Sequence, residues 1–160
     1  MPEVSDVEQD YNLWVLLRQA SDIIFNAREA ELQQYGLPAT QAEVLFVIKA
    51  IGDKVTPAQI SRMIFRRPHS VSGIINRMAK AGLVKRTKNL ERKNLVRVTI
   101  TEKGQQAYKR ALKMKSVQKI MSSLSEAERQ KLKSLLEILR NKGLKELGID
   151  PKKAPSPKFV

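Results

Sequence analysis

The chain has 160 residues, 42% of them apolar, and a formal net charge of +14, with one histidine and no cysteine. That length fits one domain, or a small domain with added helices, and the apolar share with only seven glycines argues for a packed core. A disulfide framework, a thiol switch and a cysteine-type zinc site are excluded, and the longest apolar run, Val44 to Ile48, falls far short of the roughly 18 residues a membrane span needs.

Spacings of three and four among Leu13, Leu17, Ala20, Ile24 and Ala27 predict a long first helix from about Asp10 to Gln34, closed by Gly36-Leu37-Pro38. Its acidic approach (Glu3, Asp6, Glu8, Asp10) stands where a signal peptide would be basic and then apolar, so a cytoplasmic location is expected. Thr40 to Glu43 has the form of a capping box opening a second helix, with Val44, Leu45, Ile48 and Ile51 turned inward. Thr56-Pro57-Ala58-Gln59 repeats that form and starts a short third helix carrying Ile60, Met63 and Ile64, which must stop before Pro68. The fourth helix buries a stripe of Val71, Ile74, Ile75 and Met78 and ends at Gly82. Beyond it, 83–87 and 95–101 alternate with period two, which predicts a hairpin with a basic tip. Thr101 is expected to cap a helix running to about Ser123, with Tyr108, Leu112, Val117, Ile120 and Met121 apolar. Ser125 to Glu128 is a third capping box, and its helix presents Leu132, Leu135, Leu136 and Leu139. The proline-rich end from Pro151 is expected to be irregular and mobile.

The charge is unevenly spread along these elements. Residues 1–53 hold three Lys/Arg against nine Asp/Glu, 54–101 hold twelve against Glu91 alone, and 102–160 hold fifteen against six. A solvated face usually mixes signs, so 48 residues with one acid point to a polyanion, nucleic acid ahead of acidic lipid. Two short helices joined by a turn and followed by a hairpin form a helix-turn-helix with a wing, whose second helix enters a major groove. The fourth helix supplies the candidate reading face: Arg66 and Arg67 at the turn for phosphates, then His69, Ser70, Ser72, Gly73 and Asn76, with Arg77 on the flank. Gly73 lets the backbone approach closely, and a free Asn76 amide can pair bidentately with adenine. His69 is read as a helix-start or phosphate contact rather than a pH sensor. Lys85, Arg86, Lys88, Arg92 and Lys93 are the candidate wing contacts.

At these residues the sequence resembles the MarR family of winged-helix transcription regulators. The resemblance runs through Leu37-Pro38-Ala39-Thr40, Val44-Leu45, Gln59-Ile60-Ser61, Val71 to Met78, Gly82-Leu83-Val84-Lys85-Arg86 and Val98 to Gly104. The Gly-Leu-Val-x-Arg step and the Thr-Glu-Lys-Gly exit are specific together and weak apart. The family's wing usually carries Asp-x-Arg; an ungapped count back from Thr101 puts Arg92 and Asn94 at those places, and a wing one residue longer puts Glu91 and Lys93 there. The resemblance implies dimerisation through the first and last helices and a small-molecule effector that loosens DNA binding, with Tyr11, Trp14 and Tyr35 as candidate lining.

The expected molecule is mainly α: a winged helix-turn-helix with a two-stranded β-wing plus N- and C-terminal dimerisation helices. Residues 1–36 form the first dimerisation helix, 37–104 the DNA-binding region, 105–148 the C-terminal dimerisation helices and 149–160 a tail. Leu13, Leu17, Ile24, Leu132, Leu135 and Leu139 are the expected homodimer contacts, because a monomer would leave their stripes uncovered. The expected function is a transcription regulator, in the repressor sense, bound to a palindromic duplex operator; an adaptor for protein or RNA is the alternative. No cofactor, metal or membrane is expected, and one histidine without clustered carboxylates in the basic region leaves no catalytic constellation.

Overall fold

A computed structural model describes residues 4–52, 54–88, 91–92 and 95–155. Its elements are α1 (Val4–Gln33), α2 (Ala39–Ile51), α3 (Pro57–Met63), α4 (Pro68–Lys80), β1 (Val84–Lys88), β2 (Val96–Ile100), α5 (Glu102–Ala111), α6 (Lys115–Met121) and α7 (Glu126–Glu146). The strands pair antiparallel, with Val84 opposite Ile100 and Lys88 opposite Val96.

The core lies beneath α2, α3, α4 and the base of the hairpin. Val44, Leu45, Val47 and Ile48 of α2 meet Ile60 of α3, the whole Val71/Ile74/Ile75/Met78 stripe of α4, and Val84 and Val98 of the strands. Ile51, expected inward, is 39% exposed because α2 ends there at Gly52. On the far side of β2, Val98 N donates to the Val55 carbonyl (2.9 Å) and Arg97 donates to the Lys54 carbonyl, which fixes the hairpin to the segment leading into α3.

Two of the three expected capping boxes form, and each is local. Thr56 Oγ1 accepts from Gln59 N while the Gln59 side chain accepts from Thr56 N, with Pro57 at the first helical position. Ser125 and Glu128 close the same loop at α7. The box at Thr40 does not form. Thr40 lies inside α2, whose N-cap is Pro38, and the first amide, Ala39 N, donates instead to Glu29 Oε2 of α1 at 2.6 Å.

The helix expected from Thr101 to Ser123 is also two helices. It breaks at Leu112–Met114, where Met114 takes a left-handed backbone (φ 44°). Both broken ends are satisfied from α1. Arg28 donates to the Ala111 carbonyl at the end of α5, and Glu31 accepts from Lys115 N (2.7 Å), Ser116 N (3.1 Å) and Ser116 Oγ (2.6 Å) at the start of α6. Burial pushes the Glu31 carboxyl up, but the bonds from Ser116, Lys115 and Arg28 together hold it below its ordinary value. The last quarter of α1 thus caps three helix ends, and the chain direction of α5 and α6 is set by it.

The rest of α1 and most of α7 present exposed apolar side chains. Leu13, Leu17, Leu132, Leu135 and Leu139 are all exposed, at 38–63%, and Ile24 is half-buried. Leu17, Met121, Leu124, Leu132, Leu136 and Leu139 line an apolar groove of about 780 Å³ edged by Arg129, Lys133 and Arg140. After α7 the chain runs in turns, and the tail expected to be mobile is held as far as Pro155, whose carbonyl accepts from Arg140. That guanidinium also lies 5.8 Å from the ring of Phe65, the exposed, left-handed residue (φ 53°) of the turn between α3 and α4.

Candidate nucleic-acid interface

The outward face of α4 follows from its inward one. With Val71, Ile74, Ile75 and Met78 buried, rotation by about 100° per residue leaves His69, Ser70, Asn76, Arg77 and Lys80 exposed and Ser72 and Gly73 half-buried. Arg67 is the N-cap residue and Pro68 opens the helix, with no side-chain cap on the first turn and residues 67–70 exposed. A Cβ on Gly73 would meet only the end of the Arg77 side chain, at 3.5 Å, so no packing within the chain demands glycine there.

The turn before α4 is tightly tied. Ser61 Oγ donates to the Arg66 carbonyl (2.5 Å) and Arg66 N donates to the Ser61 carbonyl (3.2 Å), which orients the backbone from which Arg66 and Arg67 extend. Arg66 Nε lies 3.8 Å from Glu43 Oε2. Burial pushes the Glu43 carboxyl up and the Arg66 guanidinium opposes that rise. Thr40, Arg66, His69, Ser70, Gly73 and Arg77 surround a shallow polar depression of about 370 Å³. Thr40 belongs to this face, a placement missed in the sequence because its spacing to Glu43 reads as a cap.

The wing adds its own cations. Lys85, Arg86 and Lys88 on β1 and Arg92 near the tip are exposed, whereas Lys93 lies outside the described residues. Arg86 does not simply face solvent: it donates to Asn76 Oδ1 across the junction of wing and helix. Asn76 was expected to be free, but one lone pair of its amide oxygen is taken by Arg86, which leaves the second lone pair and the Nδ2 donors for a base. No metal-binding cluster of three or more His, Cys, Asp or Glu exists among the described residues, and no helix is long and apolar enough to cross a membrane.

The base of the wing explains why two weak motifs go together. Gly82 (φ 76°) ends α4, with Leu83 N donating to the Met78 carbonyl and Gly82 N to the Ala79 carbonyl. Thr101 then reaches back across the sheet: its N donates to the Leu83 carbonyl (3.0 Å) and its Oγ1 to the Gly82 carbonyl (2.5 Å), while Lys103 Nζ donates to the Ala81 carbonyl (2.8 Å). A Cβ on Gly104 would stand 2.1 Å from the Leu83 oxygen. Gly-Leu-Val and Thr-Glu-Lys-Gly are two halves of one clasp.

The three aromatics considered for ligand lining do not gather in one place. Tyr11 and Trp14 pack against each other at 5.9 Å near the start of α1, with Arg18 over the indole. Tyr35 lies beyond the far end of that helix, about 30 Å away at 1.5 Å per residue, beneath Arg110 and Lys113.

A core of α2–α4 with a two-stranded hairpin after the second short helix is a winged helix-turn-helix. A model described as MarR family matches residues 35–93, from the end of α1 into the wing. The ligand-free and 2,4-dichlorophenol-bound structures of the organohalide-sensing transcriptional regulator RdhR-CbdbA1625 are each 30% identical to the chain, with TM-scores of 0.85 and 0.86, covering 100% of this chain and 96% of theirs. A mutant MarR from E. coli complexed with operator DNA shares the fold at 18% identity and a TM-score of 0.77, over 86% of this chain and 99% of that one. The S. aureus MepR–DNA complex does so at 20% identity and 0.74, over 80% and 95%. No curated protein sequence matches the chain. The protein belongs to the MarR family of transcription regulators.

Proposed function

We propose that the protein is a homodimeric repressor that binds a palindromic duplex operator, with one α4 in the major groove of each half-site and one wing beside it. The observation that carries this reading is the set of exposed cations on α4, the turn before it and the wing. Arg66, Arg67, Arg77, Lys80, Lys85, Arg86, Lys88 and Arg92 are all exposed there, in a segment whose only acid is Glu91. Arg66, Arg67, His69 and Ser70 hold phosphates at the helix start, Ser72, Gly73, Asn76 and Arg77 meet base edges, and Lys85, Arg86, Lys88, Arg92 and Lys93 follow the backbone or the minor groove. The operator-bound MarR and MepR structures share the fold and support that docking.

The division of the chain follows the same logic. Residues 37–104 serve as the DNA-binding region, 1–36 and 105–148 as the dimerisation helices, and 149–160 as the tail. The uncovered leucines of α1 and α7 are the surface that a second copy would bury. The dichlorophenol-bound relative supports release by a small apolar effector. Selection of duplexes from a random pool tests the whole reading: a two-fold motif is expected, and recovery of no common sequence would overturn it.

A further inference from the structure

The cations of α4 and the wing leave a second basic stretch without a role. Residues 102–160 hold fifteen Lys/Arg against six Asp/Glu, and within them the segment after α7 is tied back onto that helix. Gly148 takes a left-handed backbone (φ 72°), with its N–H donating to the Lys145 carbonyl (2.9 Å) and Ile149 N to the Leu144 carbonyl (2.9 Å), so α7 closes sharply. Asp150 folds the next turn. Its Oδ1 accepts from Lys152 N (3.0 Å) and its carbonyl accepts from Lys153 N (3.0 Å). Two residues on, the Pro155 carbonyl accepts from the Arg140 guanidinium, and Lys152 and Lys153 are left exposed.

That anchor places the segment beside the turn that leads into α4. The Arg140 guanidinium lies 5.8 Å from the ring of Phe65, the residue immediately before Arg66 and Arg67. A left-handed backbone is unfavourable for so bulky a side chain, and the ring is 57% exposed, so core packing does not account for it. The ring does give Arg140 a cation–π platform. Consecutive Cα atoms are about 3.8 Å apart, so Lys153 stands no more than about 8 Å along the chain from Pro155. We infer that Lys152 and Lys153 form a third DNA contact. They make a C-terminal arm, held at the helix-turn-helix by Arg140 and Phe65, that grips backbone phosphates next to those held by Arg66 and Arg67. The inference rests on the proposed docking of α4 in the major groove.

The chemistry of the arm suits phosphate rather than a base edge. A lysine ammonium is a point charge with three donors on a flexible stem, which meets phosphate oxygens without a sequence requirement. Lys142 on α7 is paired with Glu146 (2.5 Å), whereas Lys152 and Lys153 have no ion pair among the described residues. Prior anchoring also matters. A free tail would lose backbone entropy each time it bound, and an arm already bonded at Pro155 has lost much of it on folding.

The test uses the full chain with two duplexes, one selected from a random pool and one of random sequence. Lys152→Ala combined with Lys153→Ala should flatten the log–log salt slope by about 2 per protomer and weaken both duplexes alike. Lys119→Ala combined with Lys131→Ala removes as many exposed cations from α6 and the start of α7 and should leave the slope as in the parent. Methylphosphonates, which neutralise one phosphate at a time, then locate the contact. At one or two phosphates per half-site, neutralisation should weaken the parent several-fold and leave the Lys152/Lys153 variant unaffected. Phosphates held by Arg66 and Arg67 should matter in both. Circular dichroism and thermal melting confirm that each variant is folded. A slope unchanged by the two arm substitutions, an equal drop in the α6–α7 control, or one methylphosphonate profile for parent and variant would overturn the arm and leave operator binding intact. If the parent binds neither duplex, both readings fall.

Discussion

A methyl group added at residue 104 would collide with backbone, whereas one added at residue 73 would touch only the tip of an arginine. The two glycines therefore serve different ends. Gly104→Ala must push α5 off the Leu83 carbonyl and is expected to cost about 2–4 kcal/mol of stability by urea denaturation. Gly73→Ala removes a helix-interior glycine and should stabilise by up to ~1 kcal/mol, while operator affinity falls because a side chain now fills the approach to the bases. A Gly73→Ala variant that binds as well as the parent would remove residue 73 from the reading face. Glu43 gives a third single-residue case. Burial raises its folded pKa above the ordinary 4.5, so its ionised form is disfavoured by folding, against the opposing pull of Arg66. The stability penalty is present above the folded pKa and is relieved as pH falls through it. Glu43→Gln should then be as stable as the parent or more so at pH 7, with the difference shrinking in acid. It should also tighten binding to random-sequence DNA, because Arg66 loses its carboxylate neighbour.

Helix ends show how far local sequence carries. Thr56, Thr101 and Ser125 cap their own helices through residues three positions on, and all three are legible from spacing. The α4 stripe is equally plain, since a 3.6-residue period leaves one buried side. What was hidden is capping across the fold. The start of α2 uses Glu29, ten positions away, and the α5–α6 break uses Arg28 and Glu31, more than 80 positions away. Glu29 sits in a different helix from the end it caps, and no local window of sequence contains Arg28 or Glu31 together with the α5–α6 break. Thr40 was misread for the same reason, and the bond from Arg86 to Asn76 was invisible because Arg86 lies ten residues on and in a strand. Glu31 is the most exacting of these residues. Its folded pKa is lowered, so its contribution is present above the unfolded value and is lost as pH falls through the folded one. Glu31→Ala is expected to cost about 2–3 kcal/mol near neutral pH, by leaving the Lys115 and Ser116 groups without their acceptor. Its deficit relative to the parent should narrow as pH falls through that lowered folded pKa. A constant deficit across pH would mean that packing, not charge, is what Glu31 supplies.

At the scale of the molecule, α1 and α7 leave large apolar side chains in water that a monomer has no means to cover. Leu13 is 63% exposed and Leu139 54%. Light scattering at micromolar concentration should give about twice 18.2 kDa, and Leu135→Glu combined with Leu13→Glu should shift the species toward a folded or partly folded monomer. A stable monomer in the parent would refute the dimer. Binding to duplex DNA should also weaken steeply with salt: at ~6–10 phosphate contacts per dimer, affinity falls roughly 10³–10⁵-fold between 50 and 200 mM. Arg92→Ala should flatten that slope by about 1 per wing and weaken matched and random duplexes alike.

The clasp at the foot of the hairpin separates two kinds of heritable change. Gly82, Leu83, Thr101 and Gly104 lock the strands where they leave α4 and enter α5, so the position of the wing does not depend on what joins its far ends. Insertions and deletions between Lys88 and Val96 then alter reach and charge at the tip without disturbing the reading helix. Mutation can then lengthen, shorten or recharge that loop one step at a time while the clasp itself is kept. The clasp leaves the wing tip open to drift in length and composition while the helix beside it keeps its register.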